Sequence, residues 1–385
     1  MSEKGNVMMP GSRRNQKGAA VITVSFWFIA LIGMTALAFD IGHLLIVRNE
    51  LQNAADAAAL AGANCLDKTT AVSGTDCTNT ASATLNWTMA RTKASNSIGF
   101  NKSDSKTLVN GTVETGYWNV NGGTTMQATT LTPIGPCTVV SGVMTTACDK
   151  PAVRVTLSRT TGSNGGAVGT LIATMFGGAA IPITASAVAV RSAPGQVMPG
   201  SLIPMTINKC MFDLYWDSTT NTPRNATTES LKGVPQVIGQ PWVIRIGSSY
   251  HYPNCESGQW TSFTQDVNDV PTVRDLINNG NPDPLSIGQD TWIEPGTKSS
   301  LYDTLDDKYP TPPGANVTVL VVDRPSGLDS KGTAPIVAFA GFHINDVNKQ
   351  GKYIQGHFIK EITVTTGSSG IGPSYGIYTP PRLAQ

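Results

Sequence analysis

The sequence is poor in charged residues, and this limits what the protein can be. Only 14% of its 385 residues are charged and its formal net charge is +1, whereas about a quarter of the residues are charged in a typical soluble domain. Basic residues form no stripe outside the N-terminal arm, which argues against a nucleic-acid-binding surface. The sequence also lacks an HExxH metal motif and a GxxxxGK[ST] phosphate loop. We therefore predict no enzyme activity, no cofactor and no metal site.

Charge is missing altogether from residue 18 to residue 39, a run of 22 residues. A helix of that length extends about 33 Å, enough to cross a hydrocarbon core of about 30 Å. The run is longer than the roughly 7–15 apolar residues of a cleaved signal peptide, and no small-residue cleavage site follows it. We expect residues 18–39 to form an uncleaved transmembrane helix in the lipid bilayer.

The arm before this helix, residues 1–17, predicts its orientation. The arm contains four basic residues and one acidic residue, namely Lys4, Arg13, Arg14, Lys17 and Glu3. Basic flanks remain in the cytoplasm. We expect a single-pass protein of the bacterial inner membrane, with a cytoplasmic N-terminus and a periplasmic body.

Cysteine is absent from the arm and from the transmembrane helix. The six cysteines, all of them beyond the helix, are Cys65, Cys77, Cys137, Cys148, Cys210 and Cys255. An even number on the exported side predicts disulfides, and the absence of CxxC argues against a redox or zinc motif. Short loops favour Cys65–Cys77 and Cys137–Cys148, which leaves Cys210–Cys255, although other connectivities remain open.

Helix-forming residues continue from residue 40 to residue 63 and predict a stalk above the membrane. Small or apolar residues recur there at three- and four-residue steps, including Leu51, Ala55, Ala58 and Gly62. Such a face lets helices approach closely. It could pack on a partner helix, including a second copy of this chain, or on the chain's own body, and the sequence leaves both alternatives open.

Two ionisable residues, Asp40 and His43, lie one turn apart at the outer end of the span. We expect both to reach water and to have an interfacial role. The alternative is a contact with a charged group on a neighbouring helix.

The rest of the chain predicts a β-rich, mostly antiparallel body with short helices, so the fold class is α+β. Val, Ile and Thr alternate at 112–120, 152–160 and 181–191. We expect a first β-rich region at 64–195 and a linker at 193–200.

A second β-rich region is predicted at 201–366, followed by a flexible Gly/Ser/Pro-rich tail at 367–385. A helix at 272–280 is expected to begin at a Thr272 cap. The last two strand candidates could pair and place His343 opposite His357, which is weak evidence for a metal site without a third ligand.

The string from Leu51 to Ala63, LQNAADAAALAGA, is long and specific. Together with the basic arm, the apolar span and the run Asp40-Ile41-Gly42, it resembles the N-terminal module of TadE/TadG-like Flp pilus-assembly proteins. The segments VRVTLSRT and ITASAVAVR are similar to the β-rich region that follows this module, and the stretch from Trp292 is similar to C-terminal regions of such proteins.

This resemblance implies a structural or assembly component of a Tad (Flp) pilus, with other Tad proteins or pilin as partners. The sequence departs from the family in two ways. It lacks the DxSxS motif of the von Willebrand-type domain that TadG proteins often carry. It also has Thr23 where processed pilins carry glutamate five residues after the cleaved glycine, here Gly18. The alternative function is a pseudopilin- or adhesin-like subunit that leaves the membrane and joins the fibre.

Overall fold

The computed structural model describes most of the chain from residue 17 onward. The described residues are 17–70, 77–81, 85–135, 139–140, 143–144, 147–170, 172, 174, 177–218, 220–247, 249–253, 255–294, 296, 298–324, 326–360, 362–364, 368 and 370–384.

Two main sheets and the helices that pack on them make up the fold of these residues. The helices with defined bounds are α1 (Lys17–Ala63), α2 (Trp87–Ile98), α3 (Lys209–Tyr215), α4 (Val270–Asn279) and α5 (Ser300–Lys308). The sheet strands are β1 (Thr112–Asn119), β2 (Asp149–Arg159), β3 (Ile183–Val190), β4 (Met205–Asn208), β5 (Ile244–Ile246), β6 (Gly258–Phe263), β7 (Asp290–Ile293), β8 (Ala315–Val322), β9 (Gly332–Asn348), β10 (Tyr353–Phe358) and β11 (Arg382–Leu383).

Short two-stranded ladders lie in the connections between these helices and strands. They pair Lys68–Thr70 with Cys77–Ala81, Lys102–Ser103 with Lys106–Thr107, Val139–Val140 with Val143–Met144, Gln196–Val197 with Leu285–Ser286, Trp216–Asp217 with Thr222–Pro223, Ser230–Leu231 with Val234–Pro235, His251–Tyr252 with Cys255–Glu256, and Ile362–Thr363 with Ile377–Tyr378. The expected α+β class, with a long apolar helix ahead of a mostly antiparallel β-rich body, is confirmed.

We call α1, α2 and the first sheet the anchor unit. Its sheet has the antiparallel order β11-β3-β2-β1. Alternate residues of a strand point to opposite faces, and the residues Val153, Val155 and Leu157 of β2 join the core under α1. On the opposite face Ala152 packs with Trp118. The alternation at 152–160 therefore marks a sheet that is covered on both faces.

The second sheet, with α3, α4 and α5, forms the ring unit. Its order is β5-β10-β9-β7-β6-β4-β8, with a further pairing between β8 and β9. The long strand β9 pairs with β7 through residues 332–335 and with β8 through residues 336–344. Five strands (β9, β7, β6, β4 and β8) therefore close into a ring, which removes open edges from those strands.

The helix predicted at 272–280 begins two residues earlier than expected, because its cap is a different residue. Asp269 is the cap, and its carboxylate accepts hydrogen bonds from the backbone N–H of Thr272 at 2.8 Å and from the Thr272 hydroxyl at 3.0 Å. A proline in the first turn is compatible with this start, since the first helical N–H groups lack intrahelical partners. Thr272 therefore lies inside the helix.

The C-terminal segment is packed, and the expectation of a flexible tail at 367–385 is wrong for its described residues. Ile377 is fully buried, Thr379 donates its backbone N–H to the Ser192 carbonyl at 2.9 Å, and β11 pairs with β3. Gly/Ser/Pro-rich composition indicated disorder. The open backbone groups along the edge of β3 instead give this segment a place to bind.

The segment at 193–200, predicted to be a linker, is also packed. Ala193 pairs with Gly372, and Val197 is fully buried opposite Leu285. It connects the two units along the chain, and the C-terminal segment runs back beside it.

Candidate functional site

The N-terminal half of α1 exposes apolar side chains around its whole circumference. From Val21 to Phe39 its large apolar side chains are all more than half exposed. Among the described residues α1 is the one helix long and apolar enough to cross a membrane. Exposed apolar surface on this scale marks a protein or membrane contact, and the length and composition of α1 suit a membrane span.

The other half of α1 is the centre of the anchor unit. Leu51, Ala55 and Ala58 are fully buried in a cluster shared with α2, β2 and β3. A Cβ atom added at Gly62 would lie 2.8 Å from the Ala90 carbonyl oxygen, so only glycine permits this approach of α2. Of the two alternatives for the small face, the structure shows the packing on the chain's own body.

A side-chain amide fixes how α1 lies on the sheet. Gln52 donates from Nε2 to the Ser186 carbonyl of β3 at 3.1 Å and to the Asp56 carboxylate at 2.8 Å. Both bonds use the same amide nitrogen, so Gln52 ties the stalk to β3 and to its own next turn.

Asp40 differs from the expectation that it reaches water. It is 7% exposed, and its Oδ2 accepts the backbone N–H of Ile172 at 2.9 Å. The connection between β2 and β3 covers it, and a buried carboxylate needs such a donor. No local pattern in the sequence indicates that this segment returns to the end of the span.

His43 lies on the same side and contacts an ion pair. Its Nε2 is 3.1 Å from Asp104 Oδ1, and Arg159 Nη1 is 3.0 Å from Asp104 Oδ2. Partial burial raises the pKa of Asp104, but hydrogen bonds from His43 and Arg159 outweigh it, so that pKa lies below its usual value. The backbone N–H of Asp104 also donates to Glu50 at 2.6 Å. The turn at Asp104 thus joins the stalk to β2.

At the far end of the stalk a buried ion pair links three segments. Arg191 donates to Asp67 Oδ2 at 2.8 Å and 3.2 Å, the side chains are 3% and 2% exposed, and the guanidinium lies over the Tyr378 ring. Sequence reasoning missed Asp67 and Arg191. Their signal was weak but present, because a charged residue next to an apolar strand is buried only when it is paired.

The C-terminal segment is held by a second buried cation. Lys150 is 5% exposed and donates from Nζ to the Gly372 carbonyl at 2.8 Å. Burial, with Arg382 nearby, lowers the pKa of Lys150 to about 8.

Two of the expected disulfides are present. Cys65 is joined to Cys77 at the top of the stalk, and Cys210 is joined to Cys255 in the ring unit. The pairing expected for Cys137 and Cys148 lies outside the described residues, because Cys137 does.

The histidines that the sequence placed opposite one another are paired across β9 and β10. Their ring centroids are 5.1 Å apart, and each Nδ1 contacts an asparagine oxygen: His343 at Asn316, 2.6 Å, and His357 at Asn345, 2.8 Å. In the part of the chain that the structure describes, no group of three or more His, Cys, Asp or Glu side chains could hold a metal ion.

Residues 372–376 form a GxSxG string, the sequence pattern of a nucleophile elbow. A nucleophile elbow requires a strand, a sharp turn and a helix. Here the strand Ile377–Tyr378 follows the string, and the Ser374 hydroxyl lies 3.4 Å from that of Tyr378. The string is therefore part of the packed C-terminal segment.

Comparison with known families matches the N-terminal part of the chain. Residues 18–64 match a family model described as Flp pilus-assembly TadE/G-like, and residues 49–189 match one described as Tad-like Flp pilus-assembly. No curated protein and no solved structure matches the chain. The matched residues include the apolar span, the small face of the stalk, α2 and strands β1 to β3 up to Ala189, so they cover the anchor unit apart from β11. Over residues 18–189 the chain is therefore similar to TadE/G-like and Tad-like Flp pilus-assembly proteins.

Proposed function

We propose that this protein is a membrane-anchored structural component of a Tad (Flp) pilus, and that α1 holds the body at a fixed place and angle above the bilayer. One observation carries the proposal: α1 runs without a break from its exposed apolar half into the core of the anchor unit. A helix that ended at the membrane surface would leave the body on a flexible tether. Here the orientation of the span is coupled to the orientation of the sheet.

The proposed location is the inner membrane, with the arm in the cytoplasm and the body in the periplasm. The basic arm supports this orientation. The disulfides Cys65–Cys77 and Cys210–Cys255 support an oxidising compartment for the body. Alkaline phosphatase fused after Gln385 should be active in cells, and an inactive fusion at normal protein level would contradict this orientation.

Partner contacts are proposed for the surfaces that the body leaves open. Because Leu51, Ala55 and Ala58 are buried, a partner or a second copy would meet the outer face of the stalk, where Asn53 and Ala57 are exposed. A photocrosslinker at Asn53 in cells should capture another Tad component or pilin. The same crosslinker at Val237, exposed on the ring unit, is the matched control.

Rigid coupling can be tested by a short insertion. Placing Gly-Gly-Ser-Gly-Gly between Phe39 and Asp40 breaks the helix while it leaves the contacts made from Asp40 onward intact. We expect normal membrane retention and loss of piliation. The same insertion between Gly122 and Gly123, in an exposed turn, should preserve piliation. Wild-type piliation with the helix insertion would contradict the proposal.

The N-terminus of the mature protein separates this function from a released subunit. We expect mass spectrometry to find no new terminus after Gly18. A terminus at Ala19, with the protein recovered in sheared pili, would instead establish a pseudopilin-like subunit.

A further inference from the structure

The connection between β2 and β3, residues 160–182, contains no charged residue. It is the segment that covers Asp40: the Ile172 N–H donates to that carboxylate at 2.9 Å. On either side of Ile172, Val168 and Ile181 pair with each other: each donates its backbone N–H to the other's carbonyl at 2.9 Å. The connection is therefore held at the level of α1 where the apolar span ends.

The returning half of this connection presents apolar surface to the outside. Residues 177–182, GGAAIP, are all exposed and carry no polar side chain. On α1, Ile41, Leu45 and Ile46 are about half exposed. A shallow groove lined by residues of both elements, among them Leu45 and Ile181, joins the two surfaces. We call Leu45, Ile181 and Pro182, which line this groove together, the membrane-proximal patch.

The height of this patch follows from the helix geometry. Leu45 lies five residues beyond Asp40, about 8 Å along the helix axis. The polar layer of a bilayer adds roughly 5–8 Å to each side of the hydrocarbon core. With residues 18–39 in the core, Leu45 lies at the outer limit of that layer. Arg48, which lines the same groove, lies about 12 Å beyond Asp40 and therefore just outside the layer.

We propose that the membrane-proximal patch rests in the headgroup layer, so that the β2–β3 connection gives the body a second contact with the bilayer beside α1. The patch is continuous with the apolar surface of the span, and packing of β3 on α1 prevents it from turning away. Uncharged apolar surface with a cation at its outer rim is the composition of interfacial membrane contacts. A lipid surface is the occupant that this continuity favours.

A second contact with the bilayer would determine how the body is oriented relative to the membrane. A single helix can rotate about its axis and tilt in many directions. A second contact on one side fixes which side of the body faces the membrane. This inference rests on the proposed membrane insertion of α1. The experiment below therefore measures the insertion of α1 and the lipid contact of the patch at different residues.

The test is lipid quenching of a fluorophore in the full-length protein, reconstituted in phosphatidylethanolamine/phosphatidylglycerol vesicles. An Ile181→Cys variant, labelled without reduction so that the native disulfides stay closed, carries a bimane. Ile29→Cys, in the middle of the span, and Val237→Cys, on the ring unit, are the matched controls, since all three side chains are exposed. We expect lipids brominated near the headgroup to lower the Ile181 emission at least about twofold, as for an interfacial residue, and to leave Val237 unchanged.

Three outcomes would count against one proposal or the other. Quenching at Ile29 without quenching at Ile181, together with iodide quenching at Ile181, places the patch in water and overturns this inference alone. Protection of Ile181 from both lipid and iodide indicates a protein contact, such as a second copy, and also overturns it. Failure of lipid quenching at Ile29 contradicts the insertion of α1 and with it the proposed function.

Discussion

The two units bury their cores with different side chains. In the anchor unit, half of the buried cluster under α1 is alanine, and none of the buried members described there is aromatic. In the ring unit the main cluster is built around large aromatics, including Phe212, Trp260, Tyr302 and Phe358. Small side chains let a helix lie close against a sheet, whereas aromatics fill the wider interior between a ring of strands and its helices.

This difference bears on what can be recognised in the sequence. Close packing of α1 demands a small residue at almost every inward position, so the string from Leu51 to Ala63 has few substitutes. An aromatic interior can be filled by many combinations of similar volume. The family models match residues 18–64 and 49–189, which contain the anchor unit apart from β11 and no strand of the ring unit.

The largest predicted effect is on the buried pair that closes the anchor unit. Replacing Arg191 by Met leaves the Asp67 carboxylate buried and unpaired, which should cost about 3–5 kcal/mol of unfolding free energy. Guanidinium unfolding in detergent, followed by tryptophan emission, measures it. Arg154→Met is the control, because its partner Glu114 is 39% exposed and such pairs contribute about 0–1 kcal/mol. A loss equal to the control's would show that the pair does not hold the unit together.

A smaller effect tests the alanine core directly. Ala58 is fully buried and its neighbour Ala57 is exposed, so Ala58→Leu should destabilise the protein by about 1–3 kcal/mol through overpacking. Ala57→Leu should leave the same unfolding midpoint unchanged. Equal midpoints for the two variants would contradict close packing at this face. Loss of piliation in a stable Ala57→Leu variant would identify the outer face as a partner contact.

The smallest effect concerns the ring unit and pH. Burial, with His343 beside it, lowers the pKa of His357 to about 4, below the ordinary value of 6.5. The unfolded chain then binds a proton between those values that the folded chain does not, so stability falls as pH decreases from 6.5 to about 4. Allowing for partial exposure, the loss should be on the order of 1–2 kcal/mol. His357→Asn should lose less stability over the same interval, measured by urea unfolding. An identical pH slope in both proteins would exclude His357 as the cause.

Much of the fold could be predicted where one local pattern decides the structure. The uncharged run gave the span, and alternation gave β1, β2 and β3 within a few residues. Strand β6 had no such pattern, because all six of its residues are buried and they include polar ones. Thr261 is satisfied by the Thr291 hydroxyl at 2.8 Å, a partner that only the folded ring supplies.

The residues of the candidate site could be predicted from the sequence, but the residues that contact them could not. The small face of α1 could be identified from spacing, but spacing does not say whether a partner or the chain itself covers it. Asp40 was assigned to water because the residue that covers it, Ile172, lies 132 positions away. The packed C-terminal segment was missed for the same reason, since the free edge of β3 is a property of the folded sheet.

The pairing of β11 with β3 has a consequence for biosynthesis. Leu383 lies opposite Ala189, so the sheet of the anchor unit receives β11 only after the whole ring unit has been synthesised. Until then the edge of β3 is open to other extended chains, and closing so long a loop is slow. We expect chains stalled or truncated before β11 to be withheld from assembly, because such a chain has its transmembrane helix and stalk but an unfinished sheet.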